Sequence, residues 1–483
     1  MKTLRSFIEE VKAEHPEDYL EYPEEVDPRF EVTALVEELI RVNRYPVVFF
    51  PRVKGSPHPI VVGAAASRKL MAYSMGAPTS ELVREFRRRE KRPVPPERVS
   101  SAPVQEVVKT GRDLDITQLP HITAHVADAG PYVTAGLMIA KDPETGVRNA
   151  SFIRCQIVDR ETAYIHIHPG KHLDVLHKKA ERAGRPLPVA VSIGNHPLWM
   201  LGSLSLVPID VDELAVIGGL MEEPLRLARC VTSDLDIMAD AEIVLEGEVL
   251  PHERAEEGPF GEFTGYAVGK RPRPVLKFKA VTHRRDPIYQ TISSSATEHC
   301  IMPAIAKEAY VFDVAKGACP TLQNIHVAYT GRGRFHYFVS IDKQAEGQPR
   351  NVAMAVFGAD LLAKQVVVVD KDVDIFDEKQ VLWAIATRLQ GDTDIVNIPG
   401  GLGSDLDPSN RGEGVQCKTI FDATAKPSLA RFAVRNSIPQ ETVSKMRRWL
   451  GGEEGAPAAV GASARDAVSA AGPGEGNPAV PSC

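Results

Sequence analysis

The sequence predicts an α/β protein of three folded domains, and three observations point there. The chain is 483 residues long, well beyond the ~250–300 residues at which a single core stops growing. Its apolar residues first recur at helical spacing, switch to a period of two from about Tyr132, and return to alternating helix and strand after about Met302. Hydrophobic residues make up 43% and charged residues 25%, ordinary globular values that exclude wholesale disorder and fibrous structure.

The N-terminal α/β unit is assigned to residues 1–115. Leu4, Phe7, Ile8 and Val11 share one helical face, as do Val32, Leu35, Val36, Leu39 and Ile40. The short apolar runs 46–50 and 59–66 read as buried strands. Thr79 or Ser80 is expected to cap a helix through Arg89, stopped by the prolines of KRPVPPERV, the first boundary candidate. The β-rich middle block is assigned to 116–300. VTAGLMIA, a DPETG turn, ASFIRCQIV, a DRET turn and AYIHI form a predicted meander. A helix over 172–183, with Gly184 past its end, leads to a strand at 188–193 and a helix at 212–221. AEIVLEGEVL and PVLKFKAVTHRRDPIYQTIS return to strands, the second as a hairpin around Asp286-Pro287. The C-terminal α/β unit is assigned to 301–450. It opens with a helix near 302–314, followed by a hairpin around TGRGR and a helix at 352–362. A strand at 365–369, an Asp377-capped helix to Leu389 and a helix at 439–450 complete it. In 451–483, Gly, Ala and Pro supply 20 of the 33 residues and no aromatic occurs, so the segment is predicted to be a disordered tail.

Charge narrows the function classes. The 57 Lys and Arg against 64 Asp and Glu leave a net charge of −7, which argues against broad nucleic-acid binding. No apolar run approaches the ~20 residues of a membrane span. MKTLRSFIEEVKAEH carries acids where a signal peptide has its apolar core, so export is not expected. Cys155, Cys230, Cys300, Cys319, Cys417 and Cys483 are scattered without zinc-knuckle spacing, and they fit buried thiols in a reducing cytoplasm.

Several segments could carry chemistry. GGLGSD at 400–405 lacks the βαβ setting of a nucleotide loop and reads as a turn. TGRGRFHYF at 330–338 is a basic hairpin tip, read as a solvated hairpin or subunit contact before an RNA site. His166 and His168 of HIHPGKH share a strand face, an arrangement open to metal binding or to chance alternation. In EEGPFGEFTGY at 256–266, Glu257 and Glu262 flank a Gly-Pro-Phe-Gly turn that lets backbone approach a ligand. A carboxylate shielded there beside an aromatic suits a general acid, while the plain reading is two solvated turn glutamates. In RNASFIRCQIV at 148–158, the odd offset puts Asn149 and Arg154 on opposite faces of a regular strand unless a bulge or bend intervenes. Arg154, between Ile153 and Cys155, is costly to bury unless a carboxylate or phosphate meets its fork, and Glu257 and Glu262 are candidates. Asn149, His172 and Glu213 together make an O/N/O set suited to Mn²⁺ or Mg²⁺, although Glu213 is equally a routine first-turn helix acid.

Four segments in register carry a resemblance: NASFIR at 149–154, PGKHL around His172, VPIDVDE ending at Glu213, and EGPFGE at 257–262. Together they resemble the UbiD-type decarboxylase family, whose members use prenylated flavin mononucleotide, over roughly residues 1–450. The resemblance implies a central flavin-binding domain like a split barrel, and a C-terminal domain that makes a homodimer or higher homo-oligomer. It implies that Asn149, His172 and Glu213 bind Mn²⁺, which bridges to the flavin phosphate. Asn149, Ser151, Phe152, Ile153 and Arg154 line the cofactor, and Lys171 stands beside the metal histidine where relatives often have Gln. A potassium ion is implied near Gly202–Ser205. Arg154, Glu257 and Glu262 match the catalytic Glu–Arg–Glu network. The implied reaction is reversible, non-oxidative decarboxylation of an α,β-unsaturated or aromatic acid, through a cofactor adduct formed by 1,3-dipolar cycloaddition. Glu262 protonates the α-carbon after CO₂ leaves, and a flavin prenyltransferase supplies the cofactor. The site is expected between the middle and C-terminal domains, closed by the segment around LARFAVRNSIP. The Ala/Gly-rich tail suggests a high-GC bacterium and a secondary-metabolite acid. The competing readings are a flavin-free metal-dependent hydrolase with Glu257 or Glu262 as base, and a non-catalytic assembly partner that retains the fold. The intact Asn149, Arg154, His172, Glu213, Glu257 and Glu262 argue against the latter.

Overall fold

The computed structural model of the chain describes residues 2–412, 414–426 and 435–449. The predicted tail at 451–483 and most of LARFAVRNSIP lie outside the described residues.

The N-terminal unit is built as its periodicity implies. Helix Leu4–Glu14 buries Leu4, Phe7, Ile8 and Val11, and a Thr3/Ser6 capping box starts it. Helix Glu31–Arg41 buries Val32 and Leu39. The two apolar runs form strands Val47–Phe50 and Ile60–Val62, paired antiparallel. The second is shorter than predicted because the chain turns at Gly63, where a Cβ would lie 2.4 Å from the Pro46 carbonyl oxygen. Helix Leu82–Glu90 follows a 3₁₀ turn at Thr79–Glu81 and has no side-chain cap, so the Thr79 or Ser80 cap is not observed. The hairpin expected around Asp286-Pro287 is also corrected. Tyr289–Gln290 runs parallel to Ile60–Val62 as the fourth strand of the N-terminal sheet.

The middle block is a closed barrel of six antiparallel strands: β1 (Tyr132–Lys141), β2 (Arg148–Ile157), β3 (Thr162–Ile165), β4 (Leu187–Ile193), β5 (Ile243–Glu257) and β6 (Arg271–His283). The order β5-β4-β1-β2-β3-β6 closes where β5 pairs with β6. Closure leaves no free edge among these strands. Val107–Thr110 adds a short strand beside β6. Residues from all six strands, among them Ile153, Cys155, Ile165, Val191, Leu245 and Leu276, share one buried cluster that also takes in Val32, Val48, Phe50 and Ile60 of the N-terminal unit. The opposite faces of β1, β2, β4 and β5 pack on helices Leu82–Glu90, Pro197–Gly202 and Glu213–Met221 through Phe86, Trp199 and Ile217. At the closing seam, Gly247 sits where a Cβ would lie 2.3 Å from the Lys277 carbonyl oxygen.

The third unit is a five-stranded sheet ordered Leu322–Val327, His336–Ile341, Gln365–Asp370, Val415–Asp422, Ile395–Leu402. Helix Thr297–Ala318, longer at both ends than expected, links it to the barrel. The first two strands form the hairpin predicted around TGRGR. Asp377 caps helix Glu378–Arg388 as foreseen, accepting from Lys379 N. Strands Ile395–Leu402 and Val415–Asp422 were not anticipated, and they correct the reading of GGLGSD as only a turn, since Gly400–Leu402 end a strand. Among the described cysteines Cys155, Cys230, Cys300 and Cys319 are buried, Cys417 is half-buried and none is paired. No described helix is long and apolar enough to cross a membrane.

Candidate active site

Two groups of side chains meet on strand β2. At its start, Arg148 and Asn149 face the two residues that open helix Glu213–Met221. Arg148 donates to Asp212 Oδ2 at 2.9 and 2.5 Å, and Asp212 caps the helix by accepting from Leu214 N. With the cap pinned, the next residue of each element also meets: Asn149 Nδ2 donates to Glu213 Oε1 at 2.9 Å. His172, first residue of helix His172–Arg182, brings Nδ1 to 2.8 Å from the same oxygen. Asn149 and Glu213 are buried. The other oxygen, Glu213 Oε2, is buried with no hydrogen-bond partner. A buried carboxylate oxygen left unmatched beside an amide and an imidazole is what a hard divalent cation satisfies. The donor set therefore fits Mn²⁺ or Mg²⁺ chemically. The routine helix-acid role of Glu213 does not account for that buried oxygen. Ser151 Oγ donates to Asn149 Oδ1 at 2.8 Å.

Five residues along the strand, about 16 Å at the usual rise, stands Arg154. Its Nε and Nη2 donate to Glu257 Oε1 and Oε2 at 3.0 and 3.2 Å, and its Nη1 donates to Glu262 Oε1. Glu257 and Glu262 are 2% and 5% exposed, so the reading of two solvated turn glutamates is excluded. The Phe260 ring covers the guanidinium, 4.5 Å from its centroid. The intervening turn, with a cis Gly258-Pro259 peptide, is held from both sides. Gln156, two residues beyond Arg154 on the same strand face, accepts from Gly258 N at 2.9 Å and from the Tyr132 hydroxyl at 3.2 Å. Asp128 accepts from Gly261 N at 2.8 Å. Gly261 is required there, since a Cβ would lie 2.6 Å from His125 Nδ1.

The remaining histidines of HIHPGKH behave differently. His166 and His168 stack with rings 6.2 Å apart, and no described cluster of metal-ligating His, Cys, Asp or Glu side chains contains them. Burial and the Arg154 charge push His166 down to about 2, so it stays neutral. His299, on helix Thr297–Ala318, is pushed down to about 3 by burial and by Arg334, Arg154 and Arg332. Phe260, Gln156 and His299 were not singled out from the sequence. Gln156 could have been, because it shares the Arg154 face at strand period; Phe260 and His299 act through contacts no local pattern records.

Three family models match the chain in succession: the 3-octaprenyl-4-hydroxybenzoate carboxy-lyase N-terminal domain at 12–90, its Rift-related domain at 97–296 and its C-terminal domain at 300–423. Anhydromevalonate phosphate decarboxylase of Methanothermobacter thermautotrophicus is 34% identical over 422 residues, covering 87% of this chain and 96% of that one. Among solved structures, the UbiD-class enzyme HmfF from Pelotomaculum thermopropionicum in complex with FMN superposes with a TM-score of 0.88 at 39% identity, over 92% of this chain and all of that one. An evolved dimeric form of HmfF in complex with prFMN gives 0.83 at 37% identity, over 92% of this chain and 98% of that one. Apo 3,4-dihydroxybenzoic acid decarboxylase (AroY) of Klebsiella pneumoniae gives 0.84 at 32%, over 92% and 99%.

Proposed function

The chain belongs to the UbiD family of carboxy-lyases, and on that footing we propose that it decarboxylates an α,β-unsaturated or aromatic carboxylic acid, reversibly and without oxidation, using prenylated FMN and Mn²⁺. The observation that carries the reading is the pairing of Arg154 with two buried carboxylates on the strand that also bears Asn149. In this reading Asn149, His172 and Glu213 would hold the metal, with Ser151, Phe152, Ile153 and Lys171 along the cofactor. When bound, prenylated FMN supplies the electron sink that loss of CO₂ requires.

The chain's own residues do the rest. Glu257 takes the Nε and Nη2 edge of Arg154 and fixes its plane, so an incoming carboxylate would meet the remaining Nη1 and Nη2 protons of a guanidinium that needs little reordering. Phe260 lies over the face of that guanidinium. As the bond to CO₂ breaks, the α-carbon takes a proton from the Glu262 carboxyl, which regains one from solvent before the next turnover. Arg154 then faces the carboxylate left behind. A homo-oligomer formed through the C-terminal domain, cofactor supply by a flavin prenyltransferase, and a division near residues 115 and 300 belong to the same reading.

The test is co-expression of the full chain with a flavin prenyltransferase and anaerobic purification, followed by absorbance, mass and metal analysis. The expected result is about one prenylated FMN and one Mn²⁺ per chain. Failure to retain the flavin, with turnover on Mn²⁺ alone, would refute the reading in favour of a metal-dependent hydrolase.

A further inference from the structure

We propose that Arg332, at the tip of the TGRGR hairpin, is a positioning residue that fixes the backbone carrying Glu262. The inference deepens the decarboxylase reading and rests on Glu262 being its acid. The sequence presents this tip as a solvated basic turn, yet both of its arginines face inward. Arg332 Nε donates to the Phe263 carbonyl at 2.7 Å and its Nη2 to the Ser295 carbonyl at 2.8 Å. Ser295 Oγ donates in turn to the Glu262 carbonyl at 2.5 Å. The carbonyls of Glu262 and Phe263 are thus tied, directly or through Ser295, to one guanidinium. Arg334, itself buried, lies over the Phe263 ring, 5.0 Å from its centroid.

The tip is built for this contact. Arg332 and Ser295 take φ of 59° and 68°, a left-handed conformation that side-chain-bearing residues adopt only when their surroundings hold them. Gly333 lets the hairpin rest on helix Thr297–Ala318, because a Cβ there would lie 2.3 Å from the Cys300 carbonyl oxygen. The hairpin belongs to the C-terminal sheet and Glu262 to a loop of the barrel, so the clamp lets one domain set where the other's carboxyl points. Small displacements of a proton donor cost large factors in rate.

The test uses the full chain with Arg332→Ala and Arg332→Lys, and Arg271→Ala as a control that removes the exposed Arg271–Asp405 pair between the same two domains. Hydrogen exchange is read in the peptide 258–266, where Glu262 N donates to Tyr266 O and Gly265 N to Glu262 O. Arg332→Ala should exchange there at least tenfold faster, with β1 unchanged, and Lys should restore part of the protection. With prenylated FMN loaded, 3,4-dihydroxybenzoate, vanillate and cinnamate serve as probes. On any that wild type decarboxylates, Arg332→Ala should lower kcat ten- to a hundredfold with KM within twofold, Lys should recover part of it, and Arg271→Ala should match wild type. Unchanged exchange at 258–266, an equal rise in β1, or faster exchange with kcat intact on a turned-over probe would each overturn the proposal. Should wild type turn over none of the three acids, local exchange with Lys rescue still supports the clamp, and the failure falls on the substrate class.

Discussion

Glu262→Gln separates the chemistry of this site from its architecture. Arg154 carries one positive charge between two buried carboxylates. The amide keeps an oxygen to accept from Arg154 Nη1, and the two bonds to Glu257 at 3.0 and 3.2 Å are untouched. The substitution also leaves the Arg154–Glu257 pair electrically neutral, so lost attraction and relieved desolvation offset each other, and stability should change by less than about 1 kcal/mol. What disappears, on the proposed reading, is the carboxyl group that takes up and delivers the proton. A general acid contributes about 10²–10⁴-fold, or roughly 3–5 kcal/mol of barrier. The assay is CO₂ release under single-turnover conditions from an acid the wild type accepts, with cofactor absorbance and Tm measured on the same preparation. The expected result is a loss of at least 10²-fold with full flavin occupancy and an unchanged Tm. Turnover near the wild-type rate would show that the acid is another group, and lost flavin or a collapsed Tm would show that Glu262 serves the fold. Arg154→Met is the informative contrast. It leaves two buried carboxylates unpaired and should destabilise the protein by about 3–5 kcal/mol.

Three further outcomes follow from the same geometry. His172→Ala should lower Mn²⁺ content and flavin retention while circular dichroism stays unchanged, because His172 is a half-buried residue at a helix start and not part of the core. Gly247→Ala places a Cβ 2.3 Å from the Lys277 carbonyl at the barrel seam and should cost about 1–3 kcal/mol in denaturant unfolding. Glu298, buried and accepting from Gly63 N and Ala65 N, is pushed up to about 7 by burial. Its folded-state value lies above its unfolded one, so the folded chain holds the proton longer and stability falls as pH rises from about 4.5 to about 7. The loss is on the order of 3 kcal/mol, and a Tm series across that window should lose its slope in Glu298→Gln.

Legibility in the sequence followed the range of the interaction. Arg154 stood out because a guanidinium between Ile153 and Cys155 breaks an apolar strand, and its partners could be guessed because Glu257 and Glu262 flank a turn that admits close approach. The closing of Asn149 on Glu213 was beyond spacing rules, since 64 residues and a helix cap intervene; donor chemistry could group them with His172, and the resemblance gave the group its role. Tyr289–Gln290 misled for the opposite reason. Two residues after a tight turn look like a hairpin arm, and their actual partner, Ile60–Val62, lies in another domain. Strands Ile395–Leu402 and Val415–Asp422 were hidden by polar residues such as the exposed Asn397 and the buried Lys418, which dilute the apolar period of two.

The charge balance of the site gives the metal a physical task. Glu213, Glu257 and Glu262 are three buried carboxylates, and the cations in contact with them are Arg154 and, when protonated, His172. Arg154 is committed to the two glutamates of the turn, so Glu213 faces only an amide and an imidazole and keeps one oxygen unmatched. An anionic phosphate brought to that end of β2 would add repulsion to an uncompensated buried charge, which is costly in either order of binding. Lys171, adjacent to His172 and exposed, stands in high dielectric where its attraction is weak. On the proposed reading, a divalent ion held by Asn149, His172 and Glu213 would satisfy the Glu213 oxygen and make that end of β2 attractive to an anionic group. Cofactor retention should therefore be metal-linked: exhaustive chelation of the loaded enzyme should release the flavin, and Glu213→Gln should weaken both together. A chain that kept its flavin at full occupancy after losing its metal would show that the phosphate is held by other cations.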